Sequence, residues 1–292
     1  VEPSEVREHA ATWLYIPATK VDSLLPKAAA GADAVIIDLE DATHPAKRAE
    51  ARELIRATVT ETMPVPVDIR VNAVGSDDFA LDMAAIAPVV RAGHVQGVRL
   101  PKVQTADDVA TAQSICADWS IDPLLVCLLE SALGVANAHA IAASEGVQCL
   151  TLGESDLRAD LALPRDTDAG LLLSRQTVVL AARAAGLRSP MGSVFPNVND
   201  EDGLRMSSQT LRGLGFYGRS CIHPKQVGPI REVFAPTADE QSWAADIIAK
   251  AGDMDVSGSA AATLSDGSFI DPAIVRLARN ISSRAHATGG TA

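Results

Sequence analysis

The sequence predicts a closed (β/α)8 TIM barrel with a C-terminal helical extension, and three observations carry that expectation. Its 292 residues suffice for one large core or for two medium ones. Eight short apolar runs alternate with amphipathic stretches, each long enough for a right-handed crossover. Most of those runs end in a charged or polar cluster, as strands do when they deliver chemistry to one open end of a barrel. An open doubly wound sheet is the competing architecture; the count of eight runs favours closure.

Taken in order, the expected strands cover residues 13–17, 34–39, 67–71, 97–100, 124–129, 149–152, 191–195 and 219–222. Helical patterns fall at 21–30, 45–59, 79–91, 106–119, 132–144, 170–185, 200–214 and 225–234. The fifth run is apolar throughout, from Leu124 to Leu129, and reads as a parallel strand buried on both faces that delivers Glu130 to its end. In the sixth, Cys149 to Leu152 breaks into Gly153, Glu154, Ser155 and Asp156. Taken singly, each acid reads as a cap for the following helix. The recurrence of acids at successive strand ends points instead to a divalent cation.

The other strand ends extend the inventory with Asp38, Glu40 and Asp41, then Arg70 and Asn72, Lys102 after Pro101, and His223. Magnesium is the expected ion, because it favours hard oxygens and takes one or two carboxylates, with water and substrate completing the shell. No HxH or HExxH pair suggests zinc or iron. Arg70 lies within a strand fit for burial, so it must be paired, with Asp38 or Glu40 as the nearest candidates. Its planar fork equally suits a substrate carboxylate or a developing oxyanion. His223 is a second-tier acid or base, since a lone histidine at a strand end is more often structural.

After Pro236 the pattern changes. Residues 238–251 form one more amphipathic helix, 253–263 a Gly, Ser and Ala-rich connector, 267–272 a short segment, and 273–282 a last helix. The expected organisation is a barrel over residues 1–235 and a helical extension and lid over 236–292, either covering a barrel mouth or only stabilising the fold.

Composition narrows the class. Hydrophobic residues at 47% and charged ones at 21% are ordinary for a soluble enzyme. No apolar run approaches the roughly 18 residues of a membrane span, and the opening Val1 to Ala10 lacks the apolar core of a signal peptide, so the cytoplasm is the expected location. The four cysteines show no CxxC spacing and read as buried packing. A formal charge of −12, with five Phe, two Tyr and three Trp, argues against nucleic acid.

Together these residues resemble the citrate lyase β-subunit-like family, relatives of malyl-CoA and citramalyl-CoA lyases within the HpcH/HpaI aldolase group. The resemblance runs through Leu14 to Pro17, Asp38 to Ala42, Arg70 to Asn72, Leu100 to Lys102, and Glu130 and Ser131 with Gly134 and Val135. It continues through Gly153 with Asp156 and Leu157, Val194 to Pro196, Leu214 to Phe216, Ile222 to Pro224, and Gly267 to Pro272. It implies a Mg2+-dependent barrel, usually a homotrimer or dimer of trimers, that makes or breaks a carbon–carbon bond between an acyl-CoA and a 2-oxo acid. Carried over, Glu130 and Asp156 are the metal ligands and Arg70 contacts substrate oxygens. Asp271 is the acid that the C-terminal lid brings to a neighbouring subunit's site to move the acetyl α-proton. Asp38, Glu40 and Asp41 orient Arg70 and metal-bound water, and Lys20, Lys102 and Pro196 contact coenzyme A.

Three departures accompany the resemblance: Ala11 and Thr12 replace an Arg-Ser pair, Ser155 an acid, and Gly192 an Asp at the end of strand seven. An acyl-CoA lyase, with or without thioesterase activity, is the leading expectation. A CoA-independent pyruvate-type aldolase and a non-catalytic ligand-binding or assembly subunit are the alternatives.

Overall fold

The computed structural model describes residues 7–164, 167–257, 262–263 and 269–289. Eight parallel strands close into a barrel in chain order: β1 (Thr12–Pro17), β2 (Ala34–Asp38), β3 (Val67–Arg70), β4 (Gly97–Leu100), β5 (Leu124–Leu129), β6 (Val147–Leu152), β7 (Met191–Gly192) and β8 (Gly218–Cys221). Closure comes from β1, which pairs with both β2 and β8. The helices between the strands are α1 (Val21–Gly31), α2 (Arg48–Thr58), α3 (Asp77–Arg91), α4 (Ala106–Asp118), α5 (Ala132–Ala136), α6 (Ala138–Ala142), α7 (Glu154–Asp160), α8 (Leu172–Ala184), α9 (Glu201–Gly213) and α10 (Val227–Phe234).

Alternation along each strand sorts side chains into two shells. Val35, Ile37, Ile69, Val98, Leu125 and Leu150 face outward and pack with the helices in the main core. Trp13, Ala34, Ile36, Val126, Cys149 and Met191 form a separate apolar cluster inside the barrel. Because strands buried on both faces need apolar residues at every position, β5 shows no polar residue at all.

Below the inner cluster, at the N-terminal ends of the strands, the barrel floor is ionic. Asp68 on β3 accepts from Arg7 at 2.5 and 3.1 Å and from Arg99 Nε at 3.0 Å, and all three residues are buried. The guanidiniums of Arg7 and Arg99 lie 4.9 and 4.5 Å from the Trp13 ring, a cation–π arrangement. Gly97 stands beside this cluster because a Cβ there would sit 2.3 Å from the Asp68 Oδ1 and 2.7 Å from Arg7.

The structure differs from the sequence expectation at three places in the barrel. The seventh strand is only Met191–Gly192 rather than 191–195. Carbonyls that a longer strand would offer its neighbours are taken by side chains, Ser193 O by Arg219 Nε at 2.7 Å and Phe195 O by Gln226 Nε2 at 2.8 Å. The single helix expected at 132–144 is two, broken at Asn137, whose backbone leaves helical geometry while its side-chain Nδ2 donates to Gln104 O at 2.9 Å. Short α7 follows β6 directly, where no helix was expected.

The chain divides into two compact units, Val1–Phe234 and Ala235–Ala292. The second contains α11 (Ala238–Ser257), an antiparallel pair β9 (Ala262–Thr263) and β10 (Phe269–Ile270), and α12 (Pro272–Gly289). Its core is Ala244, Ile247, Ile270 and Ala278, with Trp243, Ile274 and Ile281 against them. The connector expected at 253–263 is helical as far as Ser257, and the last helix begins at Pro272 and runs past 282 to Gly289. Gly267 and Ser268, part of the family resemblance, lie outside the described residues. Among the described residues no helix is long and apolar enough to cross a membrane.

Candidate metal and substrate site

At the C-terminal ends of the strands the barrel opens into a cavity of about 390 Å3. Acids line it from β2, β5 and α7, and Arg70 lines it from β3. The register explains the first pairing: Asp38 lies opposite Arg70 across β2 and β3. Asp38 takes the guanidinium fork, Arg70 Nε at 2.8 Å and Nη2 at 2.6 Å, and itself accepts the Glu40 and Ala42 amides. Arg70 Nη1 lies 2.8 Å from Glu40 Oε2 and 3.3 Å from Asp41 Oδ2, and its guanidinium sits 5.0 Å from the Tyr15 ring. Three acids thus hold one buried arginine, so the pairing expected with Asp38 or Glu40 involves both.

That pairing qualifies the role expected of Arg70. Asp38 already occupies its fork, so Arg70 cannot grip a substrate carboxylate with the same two N–H groups. It presents a fixed positive charge to the cavity instead; burial disfavours that charge, and the hydrogen bonds and charges of Asp38 and Glu40 outweigh it and keep the guanidinium protonated.

The second cluster is built around Glu130, which is buried at the end of β5. Its Oε1 accepts the Lys102 amide at 3.1 Å. Lys102 points that amide inward because its backbone is left-handed, with φ of 53°, a conformation costing a non-glycine residue about 1–2 kcal/mol. The same residue's Nζ pairs with Glu40 Oε1. On the other side of Glu130, a Cβ on Gly153 would lie 2.3 Å from Oε2 and 2.6 Å from the carboxyl carbon, so glycine is required for the carboxylate to occupy its place. Asp156, exposed in the first turn of α7, lies within hydrogen-bond reach of Glu130. Burial first, then the shared hydrogen bond with Asp156 and the charge of Glu40, push the Glu130 carboxyl up to about 8. Burial likewise raises Glu40, against the opposing pull of Arg70 and Lys102.

These residues fit a magnesium ion. Glu130 and Asp156 offer hard carboxylate oxygens, five acids face two cations around the mouth, and burial has left the Glu130 oxygens in want of positive charge. Among the described residues no three His, Cys, Asp or Glu side chains form a set that could hold a metal. Two protein carboxylates with the remaining positions open to water and substrate is the pattern magnesium adopts in such sites.

The remaining expected residues are scattered. Glu154 is held by Arg175 in a bidentate pair at 2.8 and 2.8 Å, which removes it from competition with Asp156. Asn72 is structural, donating to Leu39 O and Asp82. His223 Nδ1 accepts the Lys225 amide at 3.2 Å, the structural alternative weighed for it. Lys20 and Pro196 are exposed and, like Lys102, are absent from the cavity lining. Asp271 lies in the second unit, where its Oδ1 accepts the amides of Ala273 and Ile274 at 2.8 and 2.9 Å and caps α12.

The departures from the resemblance also find their places. Ser155 lines the cavity and is exposed. Gly192 faces the helical layer, since a Cβ there would meet Leu211 of α9 at 2.6 Å. Ala11 immediately precedes β1, at the end of the strand away from the mouth, and packs in the outer core. Sequence reasoning missed Tyr15, Thr151, Ser193 and Ser220, all cavity residues. The two-residue period from Trp13 to Tyr15 in β1 was a usable signal for Tyr15.

Comparison with known proteins follows the same lines. A family model described as HpcH/HpaI aldolase/citrate lyase matches residues 11–224. The chain is 31% identical over 287 residues to citrate lyase subunit beta of Leuconostoc mesenteroides subsp. cremoris, covering 94% of this chain and 93% of the relative. It is 34% identical over 284 residues to a (3S)-malyl-CoA thioesterase of Cereibacter sphaeroides, covering 94% of each. Among solved structures it is similar to protein CitE from Mycobacterium tuberculosis in complex with magnesium, acetoacetate and coenzyme A. The TM-score is 0.77 at 28% identity, over 96% of this chain and 99% of that one.

Proposed function

The chain belongs to the HpcH/HpaI aldolase/citrate lyase family, and from that premise we propose that it is a Mg2+-dependent acyl-CoA lyase joining or separating an acyl-CoA and a 2-oxo acid. The observation that carries this reading is the Glu130 carboxylate seated over Gly153 beside Asp156, facing a cavity that Arg70 also lines. Magnesium, which the solved relative holds together with acetoacetate and coenzyme A, would supply Lewis-acid polarisation of the oxo acid's oxygens. Glu130 and Asp156 would hold it.

Cleavage of a 3-hydroxyacyl-CoA between its α and β carbons leaves a 2-oxo acid and a thioester enolate, so two developing negative charges need support. Arg70, locked by Asp38, Glu40 and Asp41, stands ready as a preorganised cation that need not reorient during the reaction. Asp271 is the proposed acid that returns a proton to the enolate carbon, and the base in the condensing direction. We assign it to a neighbouring subunit's site in a homotrimer or dimer of trimers, with residues 236–292 as the lid. Lys20, Lys102 and Pro196 are assigned to coenzyme A. The acidic chain, with four free buried cysteines, suits a reducing cytoplasm.

The malyl-CoA thioesterase relative favours a second activity, hydrolysis of the thioester at the same site. One experiment separates the readings: malyl-CoA and citramalyl-CoA are supplied with Mg2+ or with EDTA, while 2-oxo acid and free thiol are followed independently. Metal-dependent release of 2-oxo acid, lost in Glu130→Ala, is the expected result. Thiol without oxo acid supports the thioesterase alone, and binding of the thioesters without turnover overturns both. Condensation of pyruvate with free aldehydes, with no response to CoA thioesters, would assign the barrel to CoA-independent aldol chemistry.

A further inference from the structure

The barrel floor carries a charge imbalance that the mouth chemistry does not use. Among the described residues, three guanidiniums gather there with a single carboxylate. Arg7 and Arg99 share Asp68, while Arg188 reaches in from the segment before β7, donating from Nη1 to Arg7 O and lying close enough to oppose Arg7 and Arg99 electrostatically. Among the described residues Arg188 contacts only neutral groups: the carbonyls of Arg7 and Ala10, the Met191 sulfur at 3.4 Å and the Tyr217 ring at 5.3 Å.

The donors left over are concentrated in the same place. Arg99 Nη1, Arg188 Nε and Trp13 Nε1 are buried atoms with no acceptor among the described residues. Arg99 and Trp13 are each 1% exposed. An orphaned buried donor costs about 1–3 kcal/mol, more when it is charged, and an unpaired interior cation costs several. Three such donors, two of them on arginines, at one end of a barrel describe the recognition surface of a small anion. Among the described residues, Asp68 is the one acid hydrogen-bonded to these guanidiniums, and the rings of Trp13 and Tyr217 and the apolar inner cluster add none. Arg188 is only partly covered, which gives an ion access from its side.

We propose that the N-terminal end of the barrel is a binding site for a small inorganic anion of the halide class, held by Arg99, Arg188 and the Trp13 indole N–H and completing the charge balance that Asp68 begins. The site is structural, lies at the opposite end of the barrel from Glu130 and Asp156, and is independent of the activity proposed above.

Thermal unfolding of the full chain tests it. Sodium chloride is exchanged for sodium gluconate at constant ionic strength, without divalent ions. A bound halide raises Tm by about 2–4 °C for each tenfold of chloride above its dissociation constant, and gluconate does not. In Arg188→Met the chloride response is lost, while Arg205→Met, a surface arginine paired with Glu201 and Glu232, keeps it. Crystals grown in bromide locate the ion directly: a bromide peak among Arg99, Arg188 and Trp13 supports the site. Equal Tm in the two salts, or water alone at that position in bromide, overturns it.

Discussion

The floor and the mouth of this barrel are made from the same parts. Each has an aspartate bridging to arginine and a ring within about 5 Å of the guanidinium, Trp13 with Arg99 below and Tyr15 with Arg70 above. They differ in the ratio of charges and in access. The floor sets Arg7 and Arg99 around a buried Asp68; the mouth sets Asp38, Glu40, Asp41, Glu130 and Asp156 around Arg70 and Lys102 and opens into the cavity. The comparison teaches that a buried ion pair in a barrel is not by itself a sign of catalysis. Excess carboxylate facing open space is what makes one end suited to a divalent cation.

The largest effect expected from breaking this contrast is at the floor. Asp68→Asn leaves Arg7 and Arg99 buried without their counter-charge, which should cost about 3–5 kcal/mol in urea unfolding. Turnover per folded molecule should stay near the parent's. Next comes Arg70→Lys at the mouth, which keeps the charge but loses the fork that Asp38 holds. Its turnover should fall by about 10²–10³-fold, some 2.7–4 kcal/mol of transition-state stabilisation, with a smaller loss of stability than Asp68→Asn. If the two variants show the same balance of stability and activity loss, the distinction between the ends is wrong.

A third test sharpens the contrast by adding the cation. Millimolar Mg2+ should raise the Tm of the parent by mass action and leave Glu130→Gln unmoved. Without metal, Glu130→Gln should unfold no earlier than the parent, because the amide removes a carboxylate that burial disfavours. The smallest change is expected from Asp41→Asn. That side chain is 61% exposed and 3.3 Å from Arg70, so turnover should change about threefold or less and stability by less than about 1 kcal/mol.

How far the sequence announced these two ends follows from where their residues sit. Glu130 was legible as a strand-end acid because it directly follows an apolar run too short for a helix, Asp156 because it stands in the polar cluster into which the next such run breaks, and Asp38 with Arg70 because the strands that carry them are neighbours. The floor was not. Arg7, Asp68, Arg99 and Arg188 lie far apart in the chain and punctuate apolar stretches one at a time, and only closure of the sheet converts them into a cluster. The Gly153 requirement was equally hidden, since a glycine after a strand reads as a turn until the carboxylate beside it is seen. The early end of β7 was hidden too, because the side chains that claim its carbonyls come from later in the sequence.

Gly153 has a consequence for anyone who would transplant this chemistry. Copying both acids into another barrel would carry over the ligands but not the hollow that one of them occupies. A single methyl at that position would displace the Glu130 carboxylate without altering any reacting group. At a glycine an alanine scan adds atoms where elsewhere it removes them, so Gly153→Ala is the substitution that reveals the dependence.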